Sequence, residues 1–348
     1  MIERYMEDLE ARIEPEVEDE LLCRWRAFLD GQFRDGLFVP ERRQKAGPRV
    51  EWPHVLVNDA MEDPEKMALQ QLKTCSYKLA CGNGLPLSVR ANYGTAILPS
   101  LFGAELFVMD RETDTLPTTW PLPGGEEGIR ACIDRGIPDA RAGLGGKVLD
   151  TTAYYLDLMR SYPRVRRYVH VYHPDVQGPM DVCEMLWGSS LFLALIETPE
   201  LVKTLLELVT GAYADFMREW MALVPPAGDY AVHWSIMHKG CIMLRDDSAM
   251  NLSPSMFEEF IRPFDQRLLT EFGGGAIHFC GRGEHYIPHL GVMEDLHAIN
   301  LSQPECNDME TIFRHTVDRG LAVIGLQREA GEKALREGRD LHCLVHCM

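Results

Sequence analysis

The sequence predicts an α/β chain built on a parallel sheet with crossover helices, and two observations carry this expectation. Short apolar runs rich in β-branched residues alternate with longer segments whose apolar residues recur every 3.6 positions, as strands buried on both faces and the helices packed on them do. Polar side chains then gather just after the apolar runs, and a barrel of alternating strands and helices keeps its chemistry at the carboxyl ends of its strands. At 348 residues the chain is long enough for two ordinary domains or one such barrel.

In chain order, residues 1–85 read as helices with irregular joins. Met1 to Glu20 is rich in acid and reads as a solvated helix, Asp19 to Gln32 has an amphipathic pattern, Pro48 to Asn58 is extended, and Pro64 to Tyr77 is helical again. With few chemical groups, this segment is expected to cap one end of a main domain spanning residues 86–348. In that domain the expected strands are Leu87 to Asn92, Glu105 to Asp110, Arg167 to His173, Tyr230 to Ile236, Ala276 to Cys280, Leu296 to Leu301 and Leu321 to Leu326. Two helix starts are well marked. Thr198-Pro199-Glu200 offers an N-cap hydroxyl, a proline at the first helical position and an early acid, and Ser253-Pro254 repeats the device.

A formal net charge of −18 argues against unspecific binding to nucleic acid or to an anionic membrane. There is no basic, apolar leader and no uninterrupted apolar run long enough to cross a bilayer, so a cytosolic protein is expected. Ten cysteines scattered through apolar stretches read as thiols rather than a disulfide framework, and any that cluster are metal or catalytic candidates.

The most informative stretch is Gly273 to Gly281, GGGAIHFCG. Side chains alternate along a strand, so His278 and Cys280 point one way and Phe279 the other. An imidazole and a thiolate converging on one spot can hold a borderline-soft metal such as zinc. Asp246 and Asp247 follow a strand region and suit a general acid or base, a metal-bound water, or a helix-capping loop. Tyr93, Tyr172, His173 and Gln177 are candidates for substrate contact at the mouth. His233 and His238 flank a strand end, where one could face the pocket and both could equally be packing groups. His285 and His289 lie four apart, and Cys306 is a reserve metal ligand. The terminal run Leu341-His342-Cys343-Leu344-Val345-His346-Cys347-Met348 reads either as a tail without contact to the pocket or as the source of a further ligand, His346 or Cys347.

The pieces VQGPMDVCEMLWG, TPELVKTLLELVTGAYADFM, LRDDSAMNLSPSMFEEFIRPF and GGAIHFCG, between Val176 and Gly281, resemble in order and spacing the uroporphyrinogen decarboxylase superfamily, which includes zinc-dependent, cobamide-linked methyltransferases. The resemblance implies a (β/α)8 barrel. The decarboxylase branch keeps an arginine-bearing Met-Arg-Gln-Ala-Gly-Arg stretch, of which Arg42-Arg43-Gln44-Lys45-Ala46-Gly47 is a faint echo, and an aspartate where this chain has Gly94 or Thr95. The methyltransferase branch implies zinc on His278 and Cys280 with a later third ligand, at His346 or Cys347 here. It also implies a methyl donor or thiol acceptor as substrate and a cobamide on a separate corrinoid protein. A homodimer is compatible with this reading, and the rival activities are decarboxylation of a porphyrinogen or related acid and tetrapyrrole or cobamide binding without catalysis.

Overall fold

A computed structural model describes residues 2–348. Eight short parallel segments can be numbered in chain order: β1 (Leu37–Phe38), β2 (Ser88–Val89), β3 (His170–Val171), β4 (Ile242–Arg245), β5 (Gly275–Phe279), β6 (Leu296–Leu301), β7 (Ala322–Leu326) and β8 (Val345–Cys347). Six of them form one parallel sheet in the order β1-β8-β7-β6-β5-β4, and β2 pairs with β3 in a parallel pair of its own. The ladder is thus interrupted between β1 and β2 and between β3 and β4. Crossover helices such as Pro199–Leu223 and Arg262–Glu271 lie between the strands and bury their apolar stripes against them. No single helix among the described residues is long and apolar enough to cross a membrane.

Three strand expectations change. Leu37–Phe38 and Val345–Cys347 pair with each other, so the segment read as a cap supplies a sheet strand and the segment read as a tail supplies its partner. The helix Pro15–Leu29 does pack over one end, where Trp25 and Phe28 meet Phe38 and its indole N–H donates to the Gly84 carbonyl at 2.8 Å. Glu105 to Asp110 contributes only Leu106–Phe107, in an antiparallel pair with Thr118–Thr119. Tyr230 to Ile236 supplies a strand, but not one of the parallel sheet. Tyr230–His233 and Ile236–Lys239 form an antiparallel hairpin, and the sheet strand is the next segment, β4.

That hairpin packs against one face of the sheet. Val232, Ile236 and Met237 form one apolar cluster with Trp25, Met243, Ala276, Ala298, Ala322 and Ile324. Ala276, Ala298 and Ala322 are paired across β5, β6 and β7, so three small side chains at one level leave the room the hairpin occupies. Gly325 serves the same end, since a Cβ there would lie 2.6 Å from Ile236 Cδ1. Ala298→Leu is therefore expected to lower stability by about 1–3 kcal/mol through overpacking, read as an earlier midpoint in urea unfolding. An unchanged midpoint would mean that the hairpin does not occupy this space.

Candidate functional site

The register that ends β4, β5 and β6 brings the chemistry together. His278 is paired with Arg245 on one side and Asn300 on the other, so all three leave the strands at one level. Cys280 and Ser302 stand two residues further on, and Asp247 begins the turn after β4. One ligand atom each from Asp247, His278 and Cys280 lies within 4.8 Å of the others. Nε2 of His278 is 3.4 Å from the Cys280 sulfur and 3.8 Å from Oδ1 of Asp247.

Each of the three is held in place by an identifiable contact. Nδ1 of His278 meets the Asn300 side-chain oxygen at 2.6 Å, and the Asn300 amide nitrogen donates to the Ile324 carbonyl at 2.6 Å. That second bond fixes which end of the amide is oxygen, so Nδ1 carries the proton and the Nε2 lone pair faces the cluster, the tautomer a metal ligand needs. Asp247 accepts from the Cys280 backbone N–H at 2.8 Å. Its own turn is anchored by Asp181, which accepts from the N–H groups of Asp247 and Ser248 at 3.0 and 2.7 Å. Burial lowers the His278 pKa and so keeps the ring neutral, while burial and the neighbouring Asp247 push the Cys280 thiol up to about 11. The wall below is Trp234, at the hairpin tip, with its ring 4.7 Å from that of His278 and 4.6 Å from the Arg245 guanidinium. Trp234 and Ser235 both have left-handed backbones, φ 45° and 64°, an uncommon conformation for residues with side chains. Arg245 is buried and shares Asp175 with Arg90, leaving a net positive charge beneath the cluster.

The remaining candidates separate from this centre. Asp246 turns the other way, into the layer between sheet and helices, where its carboxyl meets Asp265. Alternation along the chain thus splits a pair that the sequence presents as a unit. His346 is turned away from this centre, its ring 4.4 Å from Trp25 and its Nδ1 accepting from the Gly325 N–H at 3.0 Å. Cys347 faces outward against Gly331, where an added Cβ would lie 2.7 Å from its sulfur. Neither joins His278 and Cys280. Cys347→Ala is accordingly expected to leave metal content unchanged by elemental analysis, and a stoichiometric loss would put the terminus back in the site.

Tyr93 is buried, its hydroxyl 2.9 Å from Thr151, and Gln177 is buried with Oε1 lacking a hydrogen-bond partner among the described residues. Tyr172, His173 and His233 line a different cavity. Cys306 is exposed. His285 precedes the short helix Ile287–Leu290 and bonds the Leu252 carbonyl, whereas His289 pairs with Glu258, so the two share no functional face. Arg42 is spent on a buried ion pair with Glu18. The third donor, Asp247, stood in the sequence as an acid or base. Its role as a neighbour of His278 depends on pairing β4 with β5, which no local pattern reports.

At the strand ends of this α/β sheet an imidazole, a thiol and a carboxylate converge closely enough that they could hold a metal ion, and this donor set is compatible with zinc. No family model and no curated protein matches the chain. Among solved structures it is similar to a methyltransferase from Methanosarcina mazei, with a TM-score of 0.63 over 94% of this chain and 92% of that one, at 15% sequence identity. The two share a fold.

Proposed function

We propose that the chain is a zinc-dependent methyltransferase of the uroporphyrinogen decarboxylase superfamily, that its eight parallel segments are the staves of a (β/α)8 barrel, and that its methyl partner is a cobamide carried by a separate corrinoid protein. The observation that carries this reading is the convergence of Asp247, His278 and Cys280 at the strand ends, on a fold similar to that of a protein described as a methyltransferase. The donor set fits the ion. The free lone pair of His278 is already turned to the cluster, and three protein ligands leave a fourth position for substrate.

Zinc in this position supplies a lowered pKa for a thiol acceptor or polarises the oxygen of a methyl donor. The residues of the chain divide the other tasks. Asn300 keeps the His278 ring in one tautomer and orientation. Asp247 is the acid of its pair that faces the cluster, and we assign it as the third ligand. Trp234 closes the site from below and excludes water from that side. Arg245 and Arg90 set a positive potential that favours an anionic or thiolate-bearing substrate.

Metal content of the protein as isolated, and the visible spectrum after replacement by cobalt(II), test the site. Consumption of methylcobalamin in the presence of a thiol tests the reaction. One equivalent of zinc, thiolate-to-cobalt charge transfer and chelator-sensitive turnover are expected. A metal-free protein indifferent to chelators would overturn the reading.

A further inference from the structure

A second site lies at the other end of the sheet. Between β3 and β4 there is no backbone ladder. Near the strand ends the seam is closed by the Met243 N–H donating to Nε2 of His173 at 3.1 Å and the Gly178 N–H donating to the Arg245 carbonyl at 2.9 Å. Toward the strand starts it opens, and a cavity of about 420 Å³ fills the opening between β3, the hairpin and the carboxyl end of the helix Pro199–Leu223. Its walls are mainly apolar, with Met159, Val171, Trp220, Met221, Val224 and Val232 among them, and the exposed Arg166 stands at the rim. Among the described residues Arg166 has no carboxylate partner.

At the inner end a chain of histidines fixes one lone pair. Nδ1 of His238 lies 2.7 Å from the Lys239 carbonyl, an acceptor only, so it carries the proton and Nε2 of His238 is an acceptor. Nδ1 of His233 lies 2.6 Å from that Nε2 and must donate to it. Nε2 of His233 is therefore left unprotonated. It is buried, in a residue 1% exposed, and it has no hydrogen-bond partner among the described residues. His233 lines the cavity and His238 does not. His173, whose ring is 4.0 Å from that of His233, offers it no proton, since its Nδ1 donates to the Pro174 carbonyl and its Nε2 is already an acceptor. A buried acceptor without a donor is costly unless something fills the space.

We propose that this cavity is a second binding site, for a small amphipathic acid whose anionic group meets Arg166 at the mouth and whose far end donates an O–H or N–H hydrogen bond to Nε2 of His233. Its volume, and a lining in which apolar side chains are joined by polar ones, are those of a small-molecule site. The hairpin separates it from the metal cluster, with His233 on one side and Trp234 on the other, so occupation does not require the metal.

The probes are para-hydroxyphenyl acetate, propionate and butyrate, which vary the reach, together with their counterparts lacking the hydroxyl. Binding to the full chain is measured by calorimetry with and without chelator, and the His233 ring nitrogens are followed by nitrogen-15 NMR. At least one hydroxy acid is expected to bind whether or not metal is present. Its counterpart without the hydroxyl should bind about tenfold more weakly, because it cannot supply the hydrogen bond that the buried acceptor lacks. The Nε2 resonance should shift with the hydroxy acid alone. Arg166→Ala should weaken binding severalfold, and His233→Phe should erase the preference for the hydroxyl. Should His233→Phe fail to fold, the hydroxyl comparison on the unaltered protein and the surface change Arg166→Ala still decide. No binding at millimolar concentration, or binding indifferent to either the hydroxyl or Arg166, overturns the proposal.

Discussion

Cys280→Ala is expected to remove stoichiometric metal and with it methyl transfer. Losing one of the three proposed ligands leaves His278 and the partly exposed Asp247, too few to hold a zinc ion against water. The effect should exceed that of Asn300→Ala, which leaves all three donors but frees the His278 ring. Removal of such an outer partner typically costs about 10–100-fold in affinity or activity. Asn300→Asp should retain metal, since a carboxylate still accepts from Nδ1, although the bond to the Ile324 carbonyl is lost. The ranking Asn300→Asp, then Asn300→Ala, then Cys280→Ala, in order of increasing loss, is a stricter check than any single variant. Metal titration with a chromophoric chelator measures it, and equal losses in all three would show general unfolding instead of graded damage to a site. With the thiol pushed up to about 11 and His278 already neutral, binding must release the Cys280 proton, so affinity should fall as the pH is lowered.

The pair at the centre of this test was legible because it is local. A strand-like run with His278 and Cys280 two apart fixes their common direction whatever the strand pairs with. The α/β class was legible for the same reason, as was the helix after Thr198, whose start is written in consecutive residues. What escaped depends on partners distant in sequence. Leu37–Phe38 and Val345–Cys347 are two and three residues long, too short to show a period, and they are strands because they pair with each other across the chain. The hairpin was hidden by its turn. A two-residue connection with positive φ normally announces itself with Asn-Gly or Asp-Gly, and Trp234-Ser235 carries neither. The run from Tyr230 therefore passed for a sheet strand and the true strand, Ile242–Arg245, went unseen. Trp234 stays in that conformation while its ring is held between Arg245 and His278, so the local rule breaks at the site itself. Placing Asp247 beside His278 and Cys347 away from them needed the register of five strands, β4 to β8.

Asp265→Asn is expected to stabilise the protein, and to do so increasingly from pH 4 to pH 7. Asp265 and Asp246 are both buried, and their oxygens have no donor among the described residues other than a proton between the two carboxyls. Burial pushes Asp265 up to about 7 from an ordinary 3.8, and burial with the neighbouring acid pushes Asp246 up as well. A folded-state pKa above the unfolded one contributes stability that is complete below pH 3.8 and is lost as the pH rises through 7. Over that interval the loss amounts to about 4 kcal/mol as an upper bound. Asparagine keeps the size, supplies an N–H donor to Asp246 and does not ionise, so the variant should match the parent near pH 4, gain steadily to pH 7 and hold that gain above it. The buried histidines work in the opposite sense in both proteins. His170 and His238 are lowered to about 4 and His173 and His346 to about 3, chiefly by burial. Their stabilisation is full above about pH 6.5 and is lost as acid protonates the unfolded chain first. They cancel in the difference between variant and parent, which isolates the carboxyl pair. Urea unfolding of both proteins at several values between pH 5 and pH 8 gives that difference. A gain that does not change with pH, or a variant less stable than the parent at pH 8, would mean that the two acids share no proton in the folded state.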